Sequence, residues 1–401
     1  MTNKPIKQAL DWLYSTQHFG IKLGLENIEK LLAEFLVYPA HGTKIIQVAG
    51  TNGKGSTCAF MESIARAHGI KAGLFTSPHL ISFNERIRVY GEPVPDHELA
   101  NILFELKDLV SDWENHPTFF ELSLAAAMRY FKDAECELII LETGMGGRLD
   151  ATSAIPKDLA VITPIGMDHM EYLGNTIEEI AQEKAAIMRE GKPCLSAPQS
   201  PELEHSLSVH ANLTRCEIGF VRSPLEGYDI ALAGPHQKVN AALATEALST
   251  VIGNLRYDAV AQGVKSVEWP GRFQQIRHEQ GITVVDCCHN EHSARSLINT
   301  WQETFGDKKA HLVFSAARDK TIHTVLEILL PICQSVEVYE MKNSRTESAE
   351  TLRKLVSSLS SEIPVTTCES LESTKKAPLS LITGSLFLAG EWLELARAKA
   401  C

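Results

Sequence analysis

The sequence predicts an α/β protein of two domains, each built around a parallel sheet that helices cover. Short apolar runs alternate along the chain with longer segments of helical periodicity, which is typical of this fold class. A glycine-rich turn joins one apolar run, Ile45 to Val48, to a helix. A chain of 401 residues is longer than a single hydrophobic core usually accommodates. The segment Trp269-Pro-Gly-Arg-Phe273 interrupts the alternation of strands and helices. We therefore expect a larger domain over 1–274 and a smaller one over 275–401.

The larger domain is predicted to begin with helices over residues 5–37, interrupted by a glycine-containing loop at 19–25. Its further predicted elements are the strands 45–48, 70–75, 138–141 and 159–163 and the helices 56–68, 96–113, 118–132, 176–191 and 241–251. The weaker patterning of 200–235 predicts short strands and turns. In the smaller domain, the strands 282–286, 311–315, 335–339 and 379–383 alternate with amphipathic helices, which predicts a second parallel sheet.

The glycine-rich turn, Val48-Ala-Gly-Thr-Asn-Gly-Lys-Gly-Ser-Thr57, has the composition of a phosphate-binding loop. Its glycines let backbone N–H groups approach an anion, and Lys54 adds a positive charge. The usual loop has Ser or Thr directly after the lysine to hold Mg²⁺, but here Gly55 takes that place. We therefore expect part of the metal site elsewhere; a glycine-rich turn without a ligand is the alternative.

Three predicted strands end in residues that could bind a metal ion: Ser77, Glu142 and His169. Because ligands of parallel sheets bind at the carboxyl ends of the strands, these three predict a metal site, with surface or capping roles as the alternative. Lys184 lies in the apolar stripe of the helix that begins at Thr176. Its spacing alone allows either a lysine that reaches out to solvent or a functional one.

Composition excludes several classes of partner. A formal net charge of −12 disfavours binding to nucleic acid and to anionic membranes. No run of apolar residues is long enough for a membrane helix, and the amino terminus has no signal-peptide core. The nine cysteines form no metal-finger spacing and are expected to be reduced thiols, the adjacent Cys287 and Cys288 included. We therefore expect a cytoplasmic protein.

The motifs together resemble the folate branch of the Mur-type ATP-dependent amide ligases, which comprises dihydrofolate synthase and folylpolyglutamate synthase. The matching segments are Gly-Thr-Asn-Gly-Lys-Gly-Ser-Thr at 50–57, Ser-Pro-His-Leu at 77–80, Phe-Asn-Glu-Arg-Ile at 83–87, Glu-Thr-Gly-Met-Gly-Gly-Arg-Leu-Asp-Ala-Thr at 142–152, Asp-His at 168–169, Glu-Lys-Ala-Ala-Ile at 183–187, His-Gln at 236–237 with Asn240, Pro-Gly-Arg-Phe at 270–273, and Asp286 with His289-Asn290. They cover nearly the whole chain. The resemblance implies a Mur-ligase-like P-loop ATPase domain followed by a Rossmann-like glutamate ligase domain.

The resemblance also implies roles for individual residues. Catalysis would depend on Lys54, His169 and Lys184. ATP would be bound by Thr51, Asn52, Gly53, Lys54, Gly55, Ser56, Asn240, Arg272 and Asp286. Mg²⁺ would be bound by Ser77, Glu142, His169 and a carbamylated Lys184, a role that replaces the solvent-reaching alternative for this lysine. The pterin-side pocket would be formed by Thr118, Phe119, Phe120, Glu121, Leu149, Asp150 and Ala151, with the loop at Gly24 over it.

The implied activity is the joining of L-glutamate to dihydropteroate and then to folates, through an acyl phosphate made from ATP. Such an enzyme would serve folate biosynthesis and one-carbon metabolism, and we expect it to be a monomer. The alternatives are an enzyme with only one of the two activities, a peptidoglycan-precursor ligase, and a nucleotide-binding regulatory protein without turnover. Glu291 and the two adjacent cysteines depart from the family pattern in the second domain.

Overall fold

A computed structural model describes residues 4–20, 24–318, 321–342, 346–374 and 377–400. The chain folds into two compact units. Unit 1 comprises residues 1–229 and 238–267, and unit 2 comprises residues 230–237 and 268–401. Within the described residues, no helix combines the length and the hydropathy needed to cross a bilayer.

Unit 1 is an α/β layer structure, as the sequence predicted. Its helices are α1 (Lys4–Ser15), α2 (Glu26–Glu34), α3 (Lys54–Ala67), α4 (Asp96–Leu109), α5 (Phe119–Asp133), α6 (Met170–Leu173), α7 (Ile177–Ala185), α8 (Pro201–Thr214), α9 (Pro235–Ile252), whose first residues belong to unit 2, and α10 (Tyr257–Ser266). Its strands are β1 (Lys44–Ala49), β2 (Ala72–Phe75), β3 (Ile87–Val89), β4 (Glu92–Pro93), β5 (Leu138–Glu142), β6 (Leu159–Ile162), β7 (Pro193–Ser196) and β8 (Glu217–Phe220). Over the described residues these strands form one sheet in the order β4-β3-β2-β5-β1-β6-β7-β8, parallel from β2 to β8.

The central strands of this sheet are apolar because helices cover both faces. Every residue of β2, β5 and β6 is buried, as in parallel sheets generally. Val48 of β1 pairs with Glu142 of β5, and Ala49 pairs with Ile162 of β6. The ends of these strands therefore lie at one edge of the sheet, with β1 between β5 and β6. The strands that lead to Glu142 and His169 follow each other along the chain, but β1 separates them in the sheet.

Residues 201–214 correct one prediction, since they form helix α8 rather than short strands and turns. The Ser200 hydroxyl accepts a hydrogen bond from the Leu203 N–H, and Pro201 occupies the first turn, a combination that starts helices. Leu203, Leu207 and Ala211 are buried at helical spacing. The predicted helix over 176–191 is shorter, because α7 ends at Ala185. Residues 21–23 of the predicted loop at 19–25 lie outside the described residues.

Unit 2 is the second α/β unit that the sequence predicted. Its strands are β9 (Gln274–His278), β10 (Gly281–Val285), β11 (Ala310–Phe314), β12 (Cys333–Tyr339), β13 (Val365–Cys368) and β14 (Leu379–Thr383), and its helices are α11 (Glu291–Phe305), α12 (Ile322–Leu329), α13 (Ala349–Leu359) and α14 (Leu386–Ala400). In the described part of the unit the strand order is β13-β12-β11-β14-β10-β9, parallel except for β9. The fully buried Trp301 of α11 packs edge-on against Phe273 in its core.

Candidate active site

The glycine-rich loop between β1 and α3 is tied to the segment that follows β6. The N–H groups of Thr51 and Asn52 donate to the Pro164 carbonyl at 3.0 and 3.2 Å. The Thr51 hydroxyl donates to the Gly166 carbonyl at 2.9 Å and accepts from the Gly166 N–H at 3.0 Å. The first turn of α3, where Gly55 and the buried Ser56 lie, has N–H groups without intrahelical acceptors, as every helix start does. This turn is where the loop can bind an anion.

Lys54 and Asn240 both lie against this loop. The Lys54 ammonium donates to the carbonyls of Gly50 and Thr51, each at 3.2 Å, so its charge stays over the loop. Gly53 has a φ of 87°, and a Cβ added there would lie 2.7 Å from Asn240 Oδ1. The left-handed backbone and the close side chain both require glycine. Two parts of the predicted nucleotide site, the loop and Asn240, are thus in contact.

Ser77 and Glu142 meet at the ends of β2 and β5. The Ser77 N–H donates to Glu142 Oε2 at 3.2 Å, and the Glu142 side chain is buried. Arg86 is close enough to interact electrostatically with Glu142. The structure therefore places two of the four predicted metal ligands side by side, at the edge of the sheet that also carries the glycine-rich loop.

Lys184 is buried in α7, with 3% of its surface exposed. Burial, followed by the positive charge of Lys54, lowers the pKa of Lys184 to about 7, although Asp168 and Asp150 act in the opposite direction. A lysine with this lowered pKa is partly a neutral amine near pH 7, and neutral amines are nucleophiles. Because it is buried, the Lys184 side chain does not reach solvent. This excludes the solvent-reaching lysine that its spacing alone allowed.

His169 lies on the exposed start of the short helix α6 and has a φ of 53°. Its N–H donates to the Asp168 carboxylate at 2.9 Å. Over the described residues, no group of three or more His, Cys, Asp or Glu side chains forms a ready metal cluster. The predicted set contains only two such residues, Glu142 and His169, so the role of His169 as a ligand stays a prediction.

Asp150 organises the loop that follows β5. Its carboxylate is buried and accepts from the N–H groups of Gly144 and Met145 at 2.8 and 3.0 Å and from the Thr152 N–H at 3.0 Å. Burial raises the pKa of Asp150 in spite of these bonds. Leu149 is half-buried and Ala151 is buried. The carboxylate that was predicted to line the pterin-side pocket thus holds its own loop in shape.

Thr118 and Glu121 cap helix α5. The Thr118 N–H and hydroxyl donate to Glu121 Oε2 at 2.7 and 2.8 Å, and the Glu121 N–H donates to the Thr118 hydroxyl at 3.3 Å. This capping box fixes the half-buried rings of Phe119 and Phe120 at the start of the helix. Phe120 packs against Phe75 with 5.6 Å between ring centres. Gly24, with a φ of 143°, is half-buried just before α2.

Sequence reasoning named Phe119 as a pocket residue but missed the aromatic and basic residues that surround it. The Tyr14 ring stacks on Phe119 at 5.7 Å, Phe83 meets it edge-on at 6.0 Å, and the Arg86 guanidinium carbon lies 5.2 Å from its centre. Arg86 Nε donates to His79 Nδ1 at 2.8 Å. Burial, followed by the charge of Arg86, lowers the pKa of His79 to about 4, so this imidazole is neutral. His79, Phe83 and Arg86 lie in the family-like motifs at 77–80 and 83–87, but no role was predicted for them.

In unit 2, Asp286 plays a part similar to that of Asp150. Its carboxylate accepts from the N–H groups of Phe273 and Cys288, both at 2.8 Å. Burial raises the pKa of Asp286, while the neighbouring Arg272 acts in the opposite direction. The two predicted nucleotide contacts of this unit, Arg272 and Asp286, are therefore neighbours.

Two hydroxyl groups lie at the carboxyl ends of adjacent strands of unit 2. Thr383 ends β14 and Ser315 follows β11, and both side chains are fully buried. Neither hydroxyl has a hydrogen-bond partner among the described residues. Buried polar groups without partners are rare and destabilising in folded proteins. Sequence reasoning placed the strands but did not single out these hydroxyls.

Residues 48–197 match the model of the Mur ligase middle domain, and residues 271–383 match that of the Mur ligase glutamate ligase domain. The dihydrofolate synthase/folylpolyglutamate synthase of Bacillus subtilis (strain 168) is 34% identical over 421 residues, covering 96% of this chain and 97% of the relative.

Two solved structures are similar over the whole chain. FolC of Escherichia coli in complex with DHPP and ADP superposes with a TM-score of 0.86 at 28% identity, covering 98% of both chains. A bifunctional folylpolyglutamate synthase/dihydrofolate synthase with Mn, AMPPNP and L-glutamate bound gives a TM-score of 0.84 at 26% identity, again covering 98% of both.

Proposed function

The chain belongs to the dihydrofolate synthase/folylpolyglutamate synthase family of Mur-type ligases, and from this premise we propose how its residues divide the reaction. It is an ATP-dependent ligase that joins the amino group of L-glutamate to a carboxyl group of a folate-type acceptor. We propose that both dihydropteroate and folates are acceptors, because the relatives named above carry both activities in their names.

The observation that carries the proposal is the grouping of the Lys54 loop with the Ser77–Glu142 pair at one edge of the unit 1 sheet. A carboxylate resists attack by an amine because it is negatively charged and has no good leaving group. Transfer of the terminal phosphoryl group of ATP to a carboxylate oxygen gives an acyl phosphate and ADP. The amine of glutamate then attacks the acyl carbon, the C–O bond to phosphate breaks, and amide, phosphate and a proton are released.

We assign the handling of phosphate charge to Lys54 and the first turn of α3. Charge builds up on the transferred phosphoryl oxygens, and preorganised positive groups stabilise it where it develops. The aromatic cluster of Tyr14, Phe83 and Phe119 fits a flat ring system, and Arg86 beside it fits an anionic or acyl group of the acceptor.

We propose that Ser77 and Glu142 hold a divalent cation, with His169 and a carbamylated Lys184 completing its surroundings. A buried carboxylate and a serine are hard oxygen donors of the kind that Mg²⁺ and Mn²⁺ prefer, so the residues fit such an ion. The cation would add positive charge on the phosphate oxygens. Carbamylation would turn the positive charge of Lys184 into a negative one, which removes the repulsion between Lys184 and Lys54.

For glutamate we propose the carboxyl edge of the unit 2 sheet. The buried hydroxyls of Ser315 and Thr383 would gain partners from an amino-acid substrate, whose carboxylates accept hydrogen bonds. The match of this unit to the glutamate ligase domain model supports the assignment.

Two further proposals concern the state of the protein in the cell. We propose a cytoplasmic enzyme, a location that the eight described cysteines support, since all are free thiols. The monomeric state stays a prediction, and size-exclusion chromatography with light scattering would test it.

The deciding experiment incubates the purified chain with ATP, Mg²⁺, L-glutamate and either dihydropteroate or tetrahydrofolate. We expect acceptor-dependent ADP release and a glutamylated product by mass spectrometry with both acceptors. Product from one acceptor alone would establish a single activity. Nucleotide binding without any product would favour the regulatory alternative instead.

A further inference from the structure

Lys157 is a buried lysine for which the reaction described above has no use. It lies between the short helical turn Ala151–Ala154 and β6, and 5% of its surface is exposed. Among the described residues it forms no ion pair, and its ammonium donates to Gln47 Oε1. Burial lowers the pKa of Lys157 to about 7. Because burying an ammonium without a carboxylate is costly, its place in the fold needs a reason.

Gln47 is fully buried in β1, and its amide presents Oε1 to Lys157. This orientation matches the ammonium form of Lys157, which has only donors, and it leaves Nε2 facing the loop that follows β5. The nitrogen, Nε2, then donates to the Thr152 hydroxyl at 2.7 Å and to the Ser153 hydroxyl at 3.0 Å. The two hydroxyls therefore accept from Gln47 and do not donate to it.

This direction continues into the loop that follows β5. A hydroxyl has one proton, and because each of these hydroxyls accepts from Gln47, it can donate its own proton to a group in this loop. The Thr152 hydroxyl donates to Asp150 Oδ1 at 2.5 Å, and the Ser153 hydroxyl donates to the Gly147 carbonyl at 2.6 Å. Asp150 Oδ2 in turn accepts from the N–H groups of Gly144 and Met145, so the chain of bonds reaches both ends of loop 144–150.

We propose that Gln47 and Lys157 are positioning residues that set the direction of these hydrogen bonds and thereby hold loop 144–150 in the shape that binds the acceptor. The inference rests on the proposed function, because this loop was assigned to the pterin-side pocket. It adds two residues, more than 100 positions apart in sequence, to the determinants of acceptor affinity.

The sharpest variant is Gln47→Glu, which keeps the shape and the acceptor for Lys157 but removes the donor. The hydroxyls of Thr152 and Ser153 would then turn to donate to the new carboxylate, and Asp150 and Gly147 would lose them. We expect the KM for dihydropteroate to rise about tenfold, while the KM for ATP changes less than about twofold. The new ion pair with Lys157 keeps the fold, which a thermal melt checks. Lys192→Met, at an exposed lysine paired with Asp158, is the control and should leave both constants unchanged.

A double-mutant cycle tests whether Lys157 acts through Gln47. If it does, Lys157→Met and Gln47→Leu each raise the acceptor KM about tenfold. The acceptor KM of the double variant is then no higher than that of Gln47→Leu alone. Effects that multiply would overturn the inference, and so would an equal rise in the KM for ATP, which would mean a general loss of structure.

Hydrogen exchange of the ligand-free protein separates this inference from the proposed function, since it needs no activity. We expect the amides of residues 144–152 to exchange faster in Gln47→Glu than in the unaltered chain, while the amides of α8 stay unchanged. An unaltered chain without ligase activity would overturn the proposed function but leave this exchange result to decide the positioning role. Unchanged exchange in this loop would overturn the positioning role itself.

Discussion

The carboxyl edges of the two sheets carry different chemistry on similar architecture. The edge in unit 1 collects ionisable groups, with Lys54 on the loop, Glu142 at the end of β5 and the buried Lys184 in electrostatic contact with Lys54. The edge in unit 2 offers two buried neutral hydroxyls, Ser315 and Thr383. The difference fits the proposed division of the reaction, since phosphoryl transfer needs charge neutralisation and amino-acid binding needs fixed hydrogen bonds.

Each of the two edges also contains an aspartate that supports a nearby loop. Asp150 in unit 1 is buried and Asp286 in unit 2 is half-buried, and the two carboxylate oxygens of each accept backbone N–H groups from nearby loops. Burial raises the pKa of both. An aspartate after a strand is therefore a loop support in each unit, and the functional difference comes from the groups around it.

The largest effect is expected from removing the charge of unit 1. Lys54→Ala should lower kcat on the order of 10² to 10³-fold, because the phosphoryl oxygens lose a preorganised positive group. ADP release with dihydropteroate measures it, and the exposed Lys107→Ala serves as control. A kcat close to that of the unaltered chain would contradict the proposal that Lys54 stabilises the charge of the transferred phosphoryl group.

Lys184 should give the next largest effect. Lys184→Arg keeps a positive charge but has no amine that can take up CO₂, and we expect a loss of about 10 to 100-fold. Since the pKa of Lys184 is lowered to about 7, the reactive neutral amine predominates above that pH and the ammonium below it. Activation by bicarbonate should therefore increase from about pH 6 to about pH 8.

The readouts for this prediction are activity with and without bicarbonate and the intact mass of the protein. The unaltered chain should gain the mass of one carbamate in bicarbonate, and Lys184→Arg should not. Equal activity in CO₂-depleted and bicarbonate buffers would exclude the carbamate.

A smaller effect is expected in unit 2, where one substitution should stabilise the protein but weaken glutamate binding. Thr383→Val removes a buried hydroxyl that has no partner among the described residues, so the free energy of unfolding should rise by about 1 kcal/mol. The KM for glutamate should rise roughly threefold to tenfold, because the substrate loses one hydrogen bond. Chemical denaturation and steady-state kinetics measure the two quantities. A stabilised variant with an unchanged glutamate KM would contradict the proposal that glutamate binds at this edge.

The smallest effect is expected at the cap of α5. Thr118→Ala should lower the free energy of unfolding by about 1 kcal/mol, because the helix loses its N-cap. Ser348→Ala, at the cap of α13, is the matched control and should cost about the same. If Thr118 acts only as a cap, both variants keep the acceptor KM. A rise in Thr118→Ala alone would support the predicted substrate contact.

Sequence reasoning predicted the parts of the site that lie in continuous motifs. Residues a few positions apart form the glycine-rich loop, the strand that ends in Glu142 and the start of the helix after Thr176, so the local pattern was enough. Helix α8 was missed because its start signal, Ser200-Pro201, was read as part of an irregular region. Phe119 was predicted as a pocket residue, but the cluster around it was missed because its members come from separate elements: Tyr14, His79, Phe83 and Arg86.

By itself, the sequence determined the α/β class, the two sheets and the glycine-rich loop that begins α3, because periodicity and turn chemistry act over short distances. Only the tertiary structure decided that β1 lies between β5 and β6 and that Lys184 is buried beside the charge of Lys54. It alone joined Lys157 to Gln47. The reason is physical: the pKa of a side chain and the direction of its hydrogen bonds depend on neighbours that the fold, not the chain order, brings together.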